Sequence, residues 1–498
     1  MPMETNPSQA GAIDPGTAQL DVKRLRGWSL VIAALALGGL GDLLLFQPAP
    51  GLGTTLFLLL LPAAFGGLLR IYGLRPHGPS LWPLLGAYGF FATMLSVRAS
   101  AFVTTLNGLA CLLLLGLLAC LAVPGQLLEI RLATIFIAPC RLLAASLYRA
   151  APIVASTADS ALDYLKNTDK RSTIWPILRG LLFSIPVLLI LIPLLASADS
   201  VFADQLLFLG RWFNPEQIAE TIWRLNRAGF VAWLTLGGLS FALTVKACER
   251  TSRLDDTRPL GYIEAMTVLS NVALVFGAFL TIQFTYLFGG AARVLAVPGM
   301  TFAEYARRGF AELVLVSLLT LILVLGLSAV TRRTGQQAIG FSGLATAIVT
   351  ETLVLLGSAW SRMAAYEAAY GATQTRIQVD VFILWLGAAL IWLVLTLWSR
   401  RWAPRFAIGG LICSLGYIAS LNLINPDALV AKRNIQRWKE TGKLDMSALD
   451  NLSDDAKELV NPLAHELQDS ESRQRINTWI ASHSKPNHTW QSWHWAKQ

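Results

Sequence analysis

Residues 341–398 read FSGLATAIVTETLVLLGSAW (341–360), SRMAAYEAAYGATQTRIQVD (361–380) and VFILWLGAALIWLVLTLW (381–398). The first and third segments are apolar, and each is long enough to cross a bilayer as a helix, which takes about 20 residues. The segment between them is a polar connector. Its charged and tyrosine side chains are Arg362, Tyr366, Glu367, Tyr370, Arg376 and Asp380. The stretch predicts two membrane-spanning helices joined by a polar connector at one membrane surface.

The same pattern recurs along the chain. Of the 498 residues 54% are hydrophobic and only 14% are charged, where a soluble protein carries about 25% charged residues. We predict an all-α fold, a polytopic α-helical integral membrane protein with about 11 transmembrane helices and a small helical C-terminal tail. The predicted crossings are 28–46, 54–69, 82–97, 102–121, 175–195, 229–245, 265–288, 310–329, 341–360, 381–398 and 406–423.

Basic residues predict the orientation of these helices. With a cytoplasmic N-terminus, the inner loops carry about twice as many Lys and Arg residues as the outer loops. An odd number of crossings then places the C-terminus outside, and we expect a multi-pass protein of the bacterial cytoplasmic (inner) membrane. The formal charge of +9 sets topology in the lipid bilayer and requires no nucleic-acid partner.

Composition also divides the chain into regions. Residues 1–22 are polar and predict a disordered N-terminal tail, and residues 23–424 form the transmembrane domain. Within that domain, 127–173 mixes apolar and basic residues, which fits either a cytoplasmic amphipathic segment on the membrane surface or an ordinary linker helix. Residues 425–482 predict an extracytoplasmic helical tail, and 483–498 a flexible Trp-rich end.

The tail carries strong helix-start signals. Asn425 precedes Pro426 and Asp427, which places an N-cap side chain, a proline and an acidic residue where a helix start favours them. Gly442 is a suitable helix stop, and Ser453 begins a second start signal.

Four phrases in order resemble one bacterial family: SADSVFADQL, TFAEYARRGFAEL, YEAAYGATQTRIQVDVFILWLG and NPDALVAKRNIQRW. They are similar to multi-pass membrane proteins grouped as domain of unknown function 4173, related to the 4153 group. The resemblance spans about 175–463 and implies a membrane fold without a specific activity. Its motifs fall on Asp199, Phe202, Glu304, Tyr305, Arg307, Arg308, Gly309, Tyr370, Gly371, Thr373 and Arg376.

The predicted topology brings the polar residues of these motifs to the outer ends of helices. We therefore expect a candidate extracytoplasmic polar site, in which Tyr370, Arg376 and Asp380 face Glu304 and Arg308 across a cleft. The full set is Asp199, Glu304, Tyr305, Arg307, Arg308, Arg362, Glu367, Tyr370, Arg376 and Asp380. The alternative is that these charges only neutralise one another and cap helix ends.

Glu351 is a separate candidate because it lies near the middle of an apolar run. A charged group there costs about 2.5–3.5 kcal/mol on insertion scales, so it marks either a proton or ion relay or a structural hydrogen bond. Asn107, Asn271 and Gln283 are the candidate bonding partners.

Three functions remain open. The first is a cell-envelope scaffold or sensor that binds an envelope protein partner through 425–482. The second is an ion- or proton-coupled transporter or flippase that uses Glu351. The third is an outer-face enzyme acting on lipid-linked glycans. The histidine and cysteine spacings fit no compact metal site, and we predict no cofactor and no metal.

Overall fold

The computed structural model describes residues 27–46, 51–74, 81–121, 132–157, 184, 195, 215–244, 259–287, 310–399, 401–442, 444–483 and 490–495. In these residues the chain is helical. Its long helices are α1 (Gly27–Leu45), α2 (Leu52–Ile71), α3 (Leu81–Val97), α4 (Ala101–Leu121), α5 (Leu132–Tyr148), α6 (Pro215–Thr244), α7 (Tyr262–Leu287), α8 (Phe310–Val330), α9 (Gln336–Tyr370), α10 (Gln374–Leu397) and α11 (Trp402–Ile424).

Shorter helices follow in the tail: α12 (Pro426–Thr441), α13 (Met446–Asp450), α14 (Lys457–Val460), α15 (Leu463–Glu466) and α16 (Ser470–His483). Two 3-10 turns, Asp454–Ala456 and Trp490–Ser492, complete the described secondary structure.

The predicted fold class is confirmed. Within the described residues, ten helices are long and apolar enough to cross a membrane, and α3 is a shorter apolar helix. The predicted crossing at 175–195 and the predicted tail at 1–22 lie outside the described residues.

The segment after α4 has two interpretations. Residues 132–157, which include α5, are long and apolar enough to cross. The sequence instead predicted a cytoplasmic amphipathic segment or linker helix at 127–173, followed by a crossing at 175–195. Which of the two crosses stays a prediction. One crossing between α4 and α6 gives eleven in either case, so the predicted side of the tail does not depend on the choice.

The chain divides into two compact units. The first contains Met1–Phe46, Leu60–Pro76 and Arg141–Lys246. In it α1 packs along α6, and Gly38 allows the close approach because a Cβ there would lie 2.7 Å from the Cβ of Ala232. Small residues allow such backbone approach between membrane helices. Asp42 of α1 pairs with Arg227 of α6 at 3.0 Å, which neutralises both charges.

The second unit contains Gln47–Leu59, His77–Cys140 and Ala247–Gln498. Its main core is formed by α7, α8, α9 and α10 around fully buried Phe341, Ile348, Leu386 and Leu390. Beside it α3 packs on α4, and α11 packs on both α10 and α4. Apolar residues on several sides of each helix are typical of helices packed within a bilayer.

The two ends of the second unit differ in chemistry. At one end, the Leu260–Thr331 β-bridge joins the start of α7 to the end of α8. Arg333 lies there with its guanidinium 4.2 Å from the ring centre of Phe341, and Arg405 donates to the Ser399 hydroxyl at 2.6 Å. At the other end the α3–α4 loop, the α9–α10 connector and the end of α11 meet the C-terminal helices.

Candidate functional site

The C-terminal helices form a module with its own core. We call residues 426–483 the C-terminal module. Its buried apolar side chains include Val430, Leu449, Val460, Leu463 and Trp479. Ion pairs between Lys439 and Glu466 at 3.0 Å and between Arg475 and Asp450 join its helices.

The predicted helix signals of the module are confirmed. The Asn425 side chain accepts a hydrogen bond from the Ala428 N–H, Pro426 occupies the first turn, and Gly442 ends α12 with φ +72°. The Ser453 hydroxyl accepts a hydrogen bond from the Asp455 N–H. These caps hold the first turns of the module in register with the end of α11.

Asp455 connects the module to the α3–α4 loop. Its Oδ2 accepts hydrogen bonds from the backbone N–H groups of Ala99 at 2.9 Å and Ser100 at 3.0 Å. These groups lie just before α4, where backbone N–H groups lack partners within the helix. In the same loop Arg98 donates through Nε to the Asn422 carbonyl at 2.8 Å. A residue of the tail therefore caps a transmembrane helix more than 350 positions earlier.

The α9–α10 connector is the second docking point. Glu367 and Arg433 form an ion pair, and the Asn434 amide donates to the Ala372 carbonyl at 2.8 Å. Gly371 ends α9 with φ +85°, and a Cβ there would lie 2.8 Å from Arg437 Nη1. Helix α12 can approach the connector because this position has no side chain.

Arg376 organises the polar side of the connector. Its guanidinium lies 4.3 Å from the ring centre of Tyr366 and donates to the Gly371 carbonyl. The rings of Tyr366 and Tyr370 are 4.9 Å apart. Asp380 lies within electrostatic reach of both Glu367 and Arg433.

The structure therefore brings together Glu367, Tyr370, Arg376 and Asp380 of the predicted polar site. Arg362 lies one turn before Tyr366 on α9 and is half-buried. Asp199, Glu304, Tyr305, Arg307 and Arg308 lie outside the described residues, so the predicted cleft between the two groups stays a prediction.

Four polar residues of this site were not predicted as such: Arg433, Asn434, Arg437 and Asp455. In the sequence Asp455 follows a capping serine. That position indicates the start of a helix, but it does not predict a bond to a distant residue. Arg433 and Asn434 are adjacent on α12, and Arg437 follows them one turn later. All three face the connector, but their spacing alone does not distinguish this face from a solvated one.

Two carboxylates at the docking surface are enclosed. Asp427 is fully buried, and its Oδ2 accepts hydrogen bonds from the Ser453 N–H at 3.0 Å and from the Ser453 hydroxyl. Burial raises the pKa of Asp427 above its usual value, although the bonds from Ser453 oppose the shift. Burial likewise raises the pKa of Asp455, against the effect of its bonds from Ala99 and Ser100. Removal from water disfavours the charged form of a carboxylate.

Glu351 lies apart from this cluster, in the middle of α9. Its Oε1 lies 3.6 Å from the position that a Cβ on Gly277 of α7 would take. Its Oε2 is enclosed and has no hydrogen-bond partner within the part of the chain that the structure describes. Two of the predicted partners are bonded elsewhere: Asn107 pairs with Asn422, and Gln283 Oε1 accepts a hydrogen bond from the Ser358 hydroxyl at 3.3 Å.

A metal centre has no ligand set in the part of the chain that is described. Among those residues no group of three His, Cys, Asp or Glu side chains is placed to hold an ion.

Together the spanning helices and the docked module define a class: a multi-pass α-helical membrane protein with a helical C-terminal module. A family model described as Domain of unknown function (DUF4153) matches residues 85–462, and the chain belongs to this family. The predicted family is therefore shown at the level of the 4153 group, and the finer resemblance to the 4173 group is not shown. Comparison with curated proteins and with solved structures gave no significant match.

Proposed function

We propose that this protein is a scaffold or sensor of the bacterial cell envelope, with the C-terminal module as a partner-binding platform outside the cytoplasmic membrane. The docking of the module is the observation that carries the proposal. Asp455, Asn434 and the Glu367–Arg433 pair attach it to the ends of three transmembrane helices. A surface held in this way keeps a fixed orientation toward a partner, which lowers the entropy lost on binding.

Charge distribution supports an extracytoplasmic module. The end of the second unit away from the module carries Arg332, Arg333, Arg401 and Arg405 close to the ends of spanning helices. Loops with an excess of Lys and Arg are retained in the cytoplasm. The module would then face the opposite side, together with the polar connector.

The partner surface that we propose is the outward face of α16. A shallow depression there is lined by Ser470, Arg473, Gln474, Asn477, Thr478 and Ala481. These side chains are exposed, whereas Ile476 and Trp479 of the same helix are buried in the module core. Protein–protein interfaces make about ten direct hydrogen bonds and are enriched in Arg, and this face offers Arg473 with four other polar side chains.

Site-specific photocrosslinking in cells tests this function. A photoreactive residue at Gln474 or Asn477 is expected to give a discrete adduct, which disappears when Thr478→Arg blocks the same face. The controls are Leu395 and Ile412, which are exposed on spanning helices and should meet only lipid. Adducts that are equal at all four positions, or that survive the block, would refute the proposed platform.

A transporter is the second candidate, favoured by Glu351 Oε2, which has no hydrogen-bond partner among the residues that the structure describes. Glu351, Ser358 and Arg362 share one face of α9, because they are spaced by seven and four residues. The Ser358–Gln283 contact continues this polar track onto α7. Proton flux in proteoliposomes is the measurement that supports or removes this candidate. The third candidate, an enzyme for lipid-linked glycans, rests on the outward tail alone and stays a prediction.

A further inference from the structure

Within the Trp-rich end, which the sequence predicted to be flexible, residues 490–495 are hydrogen-bonded to the ends of two apolar helices. The Leu52 N–H, at the start of α2, donates to the Trp493 carbonyl at 2.9 Å. The His494 ring nitrogen Nε2 donates to the Arg98 carbonyl, just beyond α3, at 3.0 Å. Both partners lie at the end of an apolar helix, so residues 490–495 are held beside these two helix ends.

Close backbone packing fixes the height of this segment. A Cβ on Gly51 would lie 2.6 Å from the Trp493 carbonyl oxygen and 2.9 Å from the carbonyl carbon of Ser492. Such distances exclude a side chain at Gly51, so the two backbones approach as closely as a glycine allows. Ser492 and His494 are correspondingly buried, at 5% and 3% exposure.

The tryptophans of the segment have the opposite environment. Trp490 is 56% and Trp495 is 63% exposed. Trp493 lies between them and makes an edge contact with Trp495 at 6.2 Å. Ser492 and His494 are thus buried against the protein, whereas the large indole rings of Trp490 and Trp495 are exposed. In water the opposite arrangement is expected.

We propose that residues 490–495 are an interfacial anchor, whose Trp490 and Trp495 rings insert into the headgroup region of the adjacent bilayer leaflet. An indole has an apolar body and one N–H donor, so it partitions to the boundary between acyl chains and headgroups. The neighbouring helix ends continue an apolar surface, with Phe102, Leu423 and Ile424 exposed at 42%, 73% and 41%. Lipid is therefore the partner that we propose for this apolar surface, and the anchor holds residues 490–495 at the membrane.

Paramagnetic quenching in nanodiscs tests the anchor on the full-length protein. All tryptophans are replaced by 5-fluorotryptophan, and the fluorine signals of residues 490 and 495 are assigned by their loss in Trp490→Phe and Trp495→Phe. A lipid with a nitroxide near its headgroup is expected to broaden both signals several-fold more than a water-soluble nickel chelate does. Trp438 of the module, assigned by Trp438→Phe, is the internal control that neither probe should broaden comparably.

Two outcomes overturn the anchor. Broadening by the aqueous chelate alone would place the rings in water. Broadening by neither probe would mean that protein covers them. The readout is the position of two assigned rings in folded protein, so it does not depend on the identity of a partner for α16.

Discussion

The side-chain amides of Asn107 and Asn422 exchange two hydrogen bonds in the buried interface between α4 and α11. Asn107 Nδ2 donates to Asn422 Oδ1 at 2.9 Å, and Asn422 Nδ2 donates to Asn107 Oδ1 at 2.7 Å. Both residues are fully buried. The pair fixes the register of two helices that contact the module at one end. At that end Asn422 also accepts the Arg98 hydrogen bond through its carbonyl.

Replacing one member of this pair is expected to destabilise the bundle. Asn107→Leu leaves Asn422 Oδ1 without its donor in a buried interface, and leaves Asn422 Nδ2 with only the Ile418 carbonyl as acceptor. Interhelical hydrogen bonds in membranes contribute about 0.6–2 kcal/mol, so we expect a loss of that size in the free energy of unfolding. Titration with sodium dodecyl sulfate in mixed micelles, followed by circular dichroism, measures it.

The double variant Asn107→Leu with Asn422→Leu is the control for this pair. It removes both amides and leaves neither orphaned, so its loss is expected to be smaller than the sum of the two single losses. Strict additivity would show that the two amides do not cooperate.

Docking of the module is expected to weaken as the pH rises. The pKa of Asp455 is raised above its usual value of 3.8, chiefly by burial, so the folded protein holds the proton more tightly than the unfolded chain. Stability is then greatest below pH 3.8 and falls as the pH rises from 3.8 through the raised pKa. Asp427 adds an effect of the same sign. Urea-induced undocking, followed by energy transfer between dyes at Gln474 and Thr105, measures the effect across pH 4–7.

Isosteric replacement separates this effect from other titrations. Asp455→Asn keeps an oxygen acceptor for the Ala99 and Ser100 N–H groups, so it should match the wild type at low pH and exceed its docking stability at neutral pH. Asp455→Ala should lose docking stability throughout. Asp469→Asn is the control of opposite sign, because the hydrogen bonds from Ser472 lower the pKa of this exposed carboxyl. It is not expected to raise docking stability at neutral pH. The docking stability of the wild type is compared with that of Asp455→Asn at each pH. If the wild type gained stability relative to the variant between pH 4 and pH 7, the raised pKa of Asp455 would be contradicted.

Gly371→Ala is expected to disturb the connector. The backbone there has φ +85° and ψ 175°, a region that only glycine adopts readily and that costs other residues about 1–3 kcal/mol. The new Cβ would also lie 2.9 Å from Asn434 Oδ1 and displace α12. The urea midpoint of undocking should fall. Gly357→Ala in α9, where a Cβ meets nothing within 4 Å, is the matched control and should be neutral or slightly stabilising.

Glu351→Gln distinguishes the two leading functions. Glutamine keeps the shape of the side chain and removes the proton that a relay needs, so the platform proposal expects unchanged folding and an unchanged adduct at Asn477. The measurements are the thermal unfolding midpoint, the photoadduct and the proton flux in proteoliposomes. If the wild type conducts protons and Glu351→Gln abolishes that flux without unfolding the protein, the transporter becomes the better-supported function.

Local signals in the sequence predicted much of this molecule. Long apolar runs gave the class, and Asn425, Gly442 and Ser453 marked the ends and starts of helices in the tail. The connector was also recognised, because it places several charged groups and tyrosines between two bilayer-length apolar runs. Each of these properties is carried by a short window of residues, so no knowledge of distant neighbours was needed.

The sequence by itself determined the helices and the polar character of their ends, since hydrophobic transfer and helix capping act over one or two turns. Only the tertiary structure decided that Asp455 caps α4, that Asn107 pairs with Asn422 and that His494 bonds to Arg98. These partners are more than 300 residues apart. Helices in lipid choose neighbours by close packing and hydrogen bonds across the interface rather than by hydrophobicity. Which helices pair therefore depends on the shapes of all of them together, and a local sequence pattern cannot predict it.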